Sequence, residues 1–292
     1  MSNSLSNVDQ IVFDEMVKKA YQSAGFLLRD KVRTRMNVEG TQVSFRKVGS
    51  IIAEQYAFQT QVNWQDPNFN KVDVTLNPYR APTLVDDMQQ FLYNFDVRKD
   101  DAELVAMALG RRSDQVIIDA LAASGTANTI ANGGTGLTYD KIRQVNKFFN
   151  DLAIPPQDRC IAISAVGEEQ LMAELQFTDN RFTELNLVTN GSLNGAYVMG
   201  MNWVVIPTMA EGGLPKTGNI RTCFAFHKLA MGMGVGRDFS TIIERVPQLD
   251  SWQILGKIFV GCGTVDNVGV VNVAIDESVD QVSALTVTTI VA

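Results

Sequence analysis

The residues of this chain that could do chemistry are few and far apart. His227 is the sole histidine, and it alternates with Cys223 and Ala225 on one face of a predicted strand. A catalytic histidine needs neighbours that orient it and exchange its proton, and the spacing around His227 supplies none. We therefore interpret His227 as a structural residue.

Patterns that bind phosphates or metals are equally weak. The segment MGMGVGRD places glycines at 232, 234 and 236, but no helix pattern follows and no GxxxxGK[ST] is present. Glycines at every second position of a strand more often allow a close backbone approach or a bulge. Because neither CxxC nor HxxxH spacing occurs, we predict no metal site and no cofactor.

The remaining reactive side chains also favour structural roles. The acid pairs Asp86-Asp87, Asp100-Asp101 and Glu168-Glu169 are adjacent in sequence, so the two carboxyls of a pair do not face each other on a helix or strand. The three cysteines, Cys160, Cys223 and Cys262, are widely spaced, which indicates buried thiols in a reducing compartment. We predict no catalytic residue.

Composition narrows the function further. The chain has 292 residues, 46% hydrophobic and 20% charged, with a formal net charge of −7. This acidic balance argues against a dedicated nucleic-acid binder, which needs a clustered basic surface. No apolar run approaches the ~18 residues of a membrane span, and the first ten residues do not predict a secretory signal.

The longest helical pattern runs over 96–123 and contains no proline. Asp100 with Glu103 predicts its start and Ser124-Gly125 its end. Its predicted apolar stripe is narrow and consists of Ala102, Val105, Leu109, Val116 and Ala120. Both signs of charge remain for its surface, including Arg111, Arg112 and Asp114.

Two alternating segments, TQVSFRKVG and KVDVTLN, predict a long hairpin with Trp64 and Phe69 near its tip. A two-stranded hairpin is marginal alone in water, and little nearby sequence is available to cover its apolar face. We therefore expect a partner surface to cover both this face and the aromatic residues. A first helix is predicted over 8–29.

Further elements follow the long helix. Thr138 predicts the cap of a helix through Leu152, and RCIAIS predicts an alternating strand followed by a helix capped at Ser164. From Arg221 onward the pattern changes to strands. The apolar end, VSALTVTTIVA, is expected to be paired, since an exposed edge of this composition would aggregate.

The order of these elements resembles the major capsid proteins of tailed bacteriophages, which have the Hong Kong 97-like fold. The segments that carry the resemblance are GTQVSFRKVGS through KVDVTLNPYRAPTLVDD, FDVRKDDAELVAMALGRRSDQVIIDALA, RCIAISAVGEEQLMAEL, GAYVMGMNWVVIPTM, and AFHKLAMGMGVGRDF through VGCGTVDNVGVVNV. Together they cover nearly the whole chain, and the specificity lies in their order.

The resemblance implies an α+β fold with six segments. These are an N-arm (1–39), an E-loop hairpin (40–80), a peripheral domain (81–157) with a spine helix over 96–123, an axial domain (158–221), return strands of both domains (222–275), and a C-terminal tail (276–292). It also implies that the loop TMAEGGLPKTGN approaches the axis of a ring of subunits.

The resemblance further implies a shell protein that self-assembles as hexamers and pentamers around phage DNA, without sequence-specific DNA binding. Expected partners are other copies of the chain, a separate scaffolding protein and a portal. The expected locations are the virion and, during assembly, the host cytoplasm. An encapsulin-type nanocompartment shell is the alternative, and a soluble α/β enzyme is less favoured.

The predicted subunit contacts come from the hairpin and the spine helix. The candidates are Arg46, Lys47, Trp64, Phe69, Lys71, Arg111, Arg112 and Asp114.

Overall fold

The computed structural model describes residues 23–56, 58–59, 61–86, 97–174 and 191–279. Residues 8–22 of the predicted first helix, residues 87–96 and the tail from residue 280 lie outside these ranges. No helix among the described residues is long and apolar enough to cross a membrane.

Within these ranges the chain is a mixture of strands and helices. The strands are β1 (Arg33–Arg35), β2 (Gln42–Val48), β3 (Phe69–Thr75), β4 (Asn77–Asp86), β5 (Thr129–Ile130), β6 (Arg159–Ser164), β7 (Tyr197–Val198), β8 (Met201–Ile206), β9 (Lys216–Thr217), β10 (Ile220–His227), β11 (Met231–Val246), β12 (Ser251–Thr264) and β13 (Val270–Asp276). The α-helices are α1 (Val97–Ala122), α2 (Tyr139–Asp151) and α3 (Ala165–Met172).

The first sheet has four strands in the order β1-β11-β12-β4. Its two longest strands, β11 and β12, are antiparallel neighbours, and α1 packs across one face. The helix lies very close to the sheet at Gly256, where an added Cβ would be 2.4 Å from Val105 and 2.8 Å from Leu109. This glycine therefore sets the separation between the long helix and its sheet.

The second sheet has the order β5-β13-β10-β6-β8-β7, with β9 paired to the end of β10. Strand β6 lies in its interior, between β10 and the parallel strand β8. All six residues of β6 are buried, although an alternating strand was predicted. The prediction of alternation is wrong because both faces of this central strand are covered.

The predicted caps of the two shorter helices are confirmed. The hydroxyl of Thr138 accepts a hydrogen bond from the backbone N–H of Lys141 at 3.4 Å, and Ser164 accepts one from Gly167 at 3.1 Å. In α2 the predicted stripe packs into the core at Ile142, Val145 and Phe149, which are fully buried.

The long helix differs from its prediction at its start and on its buried face. It begins at Val97, so Asp100 and Glu103 do not form its N-cap, although it ends before Gly125 as predicted. Tertiary packing determines the buried face of its second half, which is wider than the predicted stripe. The fully buried apolar residues there are Ile117, Ile118 and Leu121.

Residues 23–28 are not helical, contrary to the predicted helix over 8–29. Gly25 has φ +73° and Phe26 has φ +58°, which turns the chain so that it crosses α1. An added Cβ on Gly25 would lie 2.0 Å from the backbone of Gly110, so two glycines allow this crossing. A close contact between distant glycines leaves no periodic signal in the sequence, which explains the error.

Candidate assembly surfaces

The hairpin of β2 and β3 has a buried base. The two strands pair antiparallel, with Val43 opposite Val74, and they alternate between buried and exposed residues as predicted. The side chains of Val43, Phe45, Val74 and Leu76 are 3–4% exposed and form one apolar cluster with Val265. We call residues 42–48 and 70–76 the hairpin base.

Four glycines of β11 and β12 form the surface on which this base packs; we call Gly232, Gly234, Gly261 and Gly263 the glycine platform. Added Cβ atoms would lie 2.7 Å from the Phe45 ring at Gly232 and 2.6 Å from Val43 at Gly234. The predicted close approach at the alternating glycines is therefore confirmed.

The platform also corrects the prediction that only a partner could cover the apolar face of the hairpin. An added Cβ at Gly263 would lie 2.8 Å from Val74, and one at Gly261 would lie 2.1 Å from the carbonyl oxygen of Thr75. The chain therefore covers the base with its own sheet. Strands that pack this closely are distant in sequence, so the alternation of the hairpin did not reveal its partner.

The hairpin tip, defined as residues 49–69, is different. Its large apolar side chains are highly exposed, from 65% at Val62 to 91% at Phe58. Trp64 is 87% exposed and Phe69 is 70% exposed. A cluster of this kind is unusual on a monomer and typical of an interface that another molecule covers.

The charged candidates of the hairpin have different surroundings. Lys47 forms an ion pair with Asp266 at 2.8 Å, which connects the outer end of the base to the turn after β12. Lys71 pairs with Asp73 of its own strand at 3.2 Å. The pKa of Asp73 is lowered by hydrogen bonds from Ser44 and Lys71. Arg46 is exposed on the outer face.

The two candidate arginines of α1, the predicted spine helix, contact their own chain. Arg111 donates a hydrogen bond from Nη1 to the carbonyl oxygen of Ser23 at 3.1 Å. Arg112 lies over the ring of Tyr79, with its guanidinium carbon 4.5 Å from the centroid, and is 3.6 Å from a carboxylate oxygen of Glu211. Both side chains therefore hold neighbouring segments against the helix, and their contact with a second copy stays a prediction.

Asp114 is buried, so the prediction that it lies on the helix surface is wrong. Its side-chain oxygens accept hydrogen bonds from the backbone N–H groups of Leu27 at 3.0 Å and Leu28 at 3.1 Å. Burial raises its pKa to about 6, although these two hydrogen bonds act in the opposite direction. Asp114 thus anchors the segment that crosses the helix.

The loop TMAEGGLPKTGN lies partly on the same helix. The backbone N–H of Gly212 donates to the side-chain oxygen of Gln115 at 2.8 Å, next to the Glu211–Arg112 contact. Lys216 and Thr217 form β9 on the edge of β10. The approach of this loop to a ring axis stays a prediction.

Three cations that the sequence analysis did not single out lie together on the open face of the four-stranded sheet. Arg80 of β4 is directly opposite Lys257 of β12, and Arg237 of β11 is opposite Phe259. With Pro78 these residues line a cavity of about 370 Å³, which we call the cationic pocket. Their proximity depends on strand register, which the sequence alone does not define.

The residues considered for catalysis or metal binding have structural surroundings. Nδ1 of His227 accepts a hydrogen bond from the backbone N–H of Leu229 at 3.3 Å. Because Nδ1 is an acceptor, Nε2 carries the proton and donates a hydrogen bond to the carbonyl oxygen of Gln157 at 3.0 Å. Burial raises the pKa of each cysteine thiol to about 12, which removes the reactive thiolate. The described residues contain no cluster of three side chains suited to hold a metal ion.

Solved structures with this fold come from several phages. A chain of Mycobacterium phage Che8 matches with a TM-score of 0.72 and 16% identity, covering 95% of this chain and 100% of that one. The head structure of Helicobacter pylori bacteriophage KHP40 matches with a TM-score of 0.71 and 9% identity, covering 94% and 97%. The capsid of Ralstonia phage GP4 matches with a TM-score of 0.69 and 10% identity, covering 94% and 98%.

No curated protein matches the chain. The sequence model of the family described as phage capsid protein, however, matches residues 6–277. That span includes the hairpin, the spine helix and both sheets. The α+β architecture and the family match agree, and the chain belongs to the phage capsid protein family, as a major capsid protein with the Hong Kong 97-like fold.

Proposed function

We propose that this capsid protein forms its icosahedral shell as hexamers and pentamers in which the hairpin tip of each subunit lies on an adjacent subunit. The observation that carries the proposal is the contrast within the hairpin, whose base is buried against the sheet while the apolar side chains of its tip are exposed. The shell would enclose the phage genome without reading its sequence. The protein is a virion component.

The exposed tip supports this arrangement on energetic grounds. Burying a large apolar side chain is worth about 1.5–3 kcal/mol, and the tip carries several that the monomer leaves in water. When two different patches of identical chains bind each other, the same contact repeats between successive subunits. These subunits form a closed ring if the rotation between neighbours is a whole fraction of a full turn. A projecting hairpin provides one patch of such a contact.

We further propose that the protein has no catalytic activity and assembles with a separate scaffolding protein and a portal. His227 and the cysteines support the first statement, because hydrogen bonding and burial make them unsuitable for catalysis. The partners follow from the family resemblance alone.

The test is a pair of substitutions, Trp64→Ala with Phe69→Ala, compared with Leu229→Ala, which removes an exposed leucine outside the hairpin. We expect the double variant to keep the circular dichroism spectrum and melting temperature of the wild-type monomer but to lose particles in negative-stain images. The control should form particles. Normal particle yield and stability of the double variant would contradict the role of the tip.

A further inference from the structure

The face of the four-stranded sheet opposite α1 is covered by the hairpin base at the glycine platform and is open beyond it. Along β4 the residues alternate between partly covered positions that face the helix, such as Tyr79 and Ala81, and exposed ones such as Arg80, Pro82 and Leu84. Among the described residues, no helix or strand packs over the exposed set. Leu84 is 54% exposed at this face. The described residues therefore leave this part of the face uncovered.

The cationic pocket at one end of this face has an unusual charge arrangement. Arg80 and Lys257 are direct cross-strand neighbours, an arrangement of like charges that destabilises a sheet. Within the described ranges, no carboxylate pairs with Arg80, Arg237 or Lys257. Phe259 and Pro78 add an apolar lining to the pocket. Three clustered cations on a chain of net charge −7 fit a ligand that is both acidic and apolar.

The hairpin tip has this complementary chemistry. Between residues 49 and 69 the sequence contains Glu54 and Asp66 but no lysine or arginine. The carboxylate of Glu54 accepts hydrogen bonds from the neutral amides of Asn63 and Gln65, both at 3.1 Å. No cation in the described part of the chain pairs with either acid. Exposed aromatic side chains surround them, including Trp64.

The tip of a chain points away from that chain's own pocket. Strands β3 and β4 are joined at Leu76, beside Gly261 near the end of β12. From this point the hairpin base extends past Gly261 and Gly263 to Asp266, whereas β4 pairs in the other direction, with Lys257 opposite Arg80. Tip and pocket therefore lie on opposite sides of the hairpin base, and a tip that fills the pocket must come from another copy.

We infer that the cationic pocket of one subunit receives the hairpin tip of a second copy of this chain, with Glu54 and Asp66 of the tip facing Arg80, Arg237 and Lys257. The inference rests on the proposed function, because it names the surface on which the tip lies. Since donor and receptor patches differ, the contact is heterologous and continues around a ring. The opposed charges also determine which way the tip lies on the sheet.

Charge reversal tests the pairing. Arg80→Glu with Lys257→Glu should raise the protein concentration needed for assembly by at least about tenfold, since closely paired interface charges contribute at that level. Lys147→Glu, which reverses an exposed charge on α2, is the matched control and should leave that concentration unchanged. Adding Glu54→Lys and Asp66→Lys to the pocket variant should restore assembly. Unchanged assembly of the pocket variant, or no restoration by the tip changes, would overturn the inference.

A disulfide experiment separates the docking contact from shell formation. Full-length chains with Gln65→Cys in the tip are mixed with chains carrying Pro82→Cys beside the pocket and oxidised with diamide. We expect a covalent dimer only in the mixture, while each variant alone stays monomeric on a non-reducing gel.

Each outcome has a defined meaning. Shells without crosslinked dimers would overturn the docking site and leave the proposed function standing. Crosslinked dimers without shells would support the docking site and contradict the proposed function. If the pocket variant of the first experiment assembled normally but lost bound DNA, the pocket would be a nucleic-acid surface and the inference would fail.

Discussion

The base and the tip of the same hairpin differ in what covers their apolar side chains. At the base, Phe45 and Val74 are almost completely buried against the glycine platform. At the tip, Phe58 and Trp64 remain in water. Both parts are rich in apolar residues, so hydrophobicity alone does not distinguish them. The difference lies in the opposing surface, because the platform has no side chains where the base packs.

This contrast shows which part of the hairpin belongs to the fold of the single chain. Close packing at the base removes apolar surface from water within one chain and fixes where the hairpin leaves the sheet. The tip has no such surface in the described part of the chain. Changes in the base should therefore alter the stability of the isolated chain, whereas changes in the tip should alter assembly.

The largest expected effect comes from filling the platform. In Gly261→Ala the new methyl group would overlap the carbonyl oxygen of Thr75, which cannot rotate away as a side chain can. We expect the free energy of unfolding to fall by about 3 kcal/mol or more, at the upper end of overpacking effects. Urea denaturation of the unassembled chain measures this change.

Gly49→Ala is the matched control for this substitution. Gly49 lies at the start of the tip, and an added Cβ would have its nearest contact at 3.4 Å, an ordinary distance. Its free energy of unfolding should change by less than about 1 kcal/mol. Equal decreases in the free energy of unfolding of Gly261→Ala and Gly49→Ala would show that the platform does not hold the base.

A second intrachain anchor should behave like the base. Burial raises the pKa of Asp114 from 3.8 to about 6, so the folded chain binds this proton more tightly than the unfolded chain. The stability from this group is complete below pH 4 and is lost as the pH rises through 6, an effect of about 2–3 kcal/mol. Asp114→Asn should remove this part of the pH dependence.

The measurement is urea denaturation of both chains at several pH values between 4 and 7. The asparagine variant also leaves one of the two amides of Leu27 and Leu28 without an acceptor, which lowers its stability at every pH. Only the change in the free energy of unfolding with pH therefore reports on the titration of Asp114. If the free energy of unfolding changed with pH equally in wild type and variant, a raised pKa at this residue would be contradicted.

The hairpin and its glycines show how far the sequence predicts such a base. Alternation correctly predicts β2, and the spacing of Gly232 and Gly234 correctly predicts a close approach. Neither pattern indicates that the hairpin is the element that packs on these glycines, because the packed strands are nearly 200 residues apart in sequence. Period-two alternation specifies the buried face of a strand but not the surface opposite it.

Asp114 and the cationic pocket show a second limit. A carboxylate on a helix between charged neighbours is typical of a solvated surface, and nothing local indicates that backbone amides some 86 residues away bind it. Arg80 and Lys257 become neighbours only through the register of β4 and β12. Side chains whose role depends on long-range geometry therefore escape prediction from local pattern, even where the fold is predicted correctly.

The smallest expected effect lies at the outer end of the base, where Lys47 pairs with Asp266. Both side chains are about one-third exposed or more, so the pair is worth about 0–1 kcal/mol and salt weakens it. We expect Lys47→Ala to lower the free energy of unfolding by less than about 1 kcal/mol at low salt and by less still at 1 M salt.

Hydrogen exchange gives the sharper measurement for this pair. Amides at the outer end of β2 should exchange faster in Lys47→Ala, because that end of the hairpin loses its connection to the turn after β12. Lys71→Ala is the control, since its partner Asp73 lies on the same strand and its loss detaches nothing. Faster exchange along the whole base, including the residues around Val43, would instead mean that the ion pair, rather than packing on the platform, holds the hairpin.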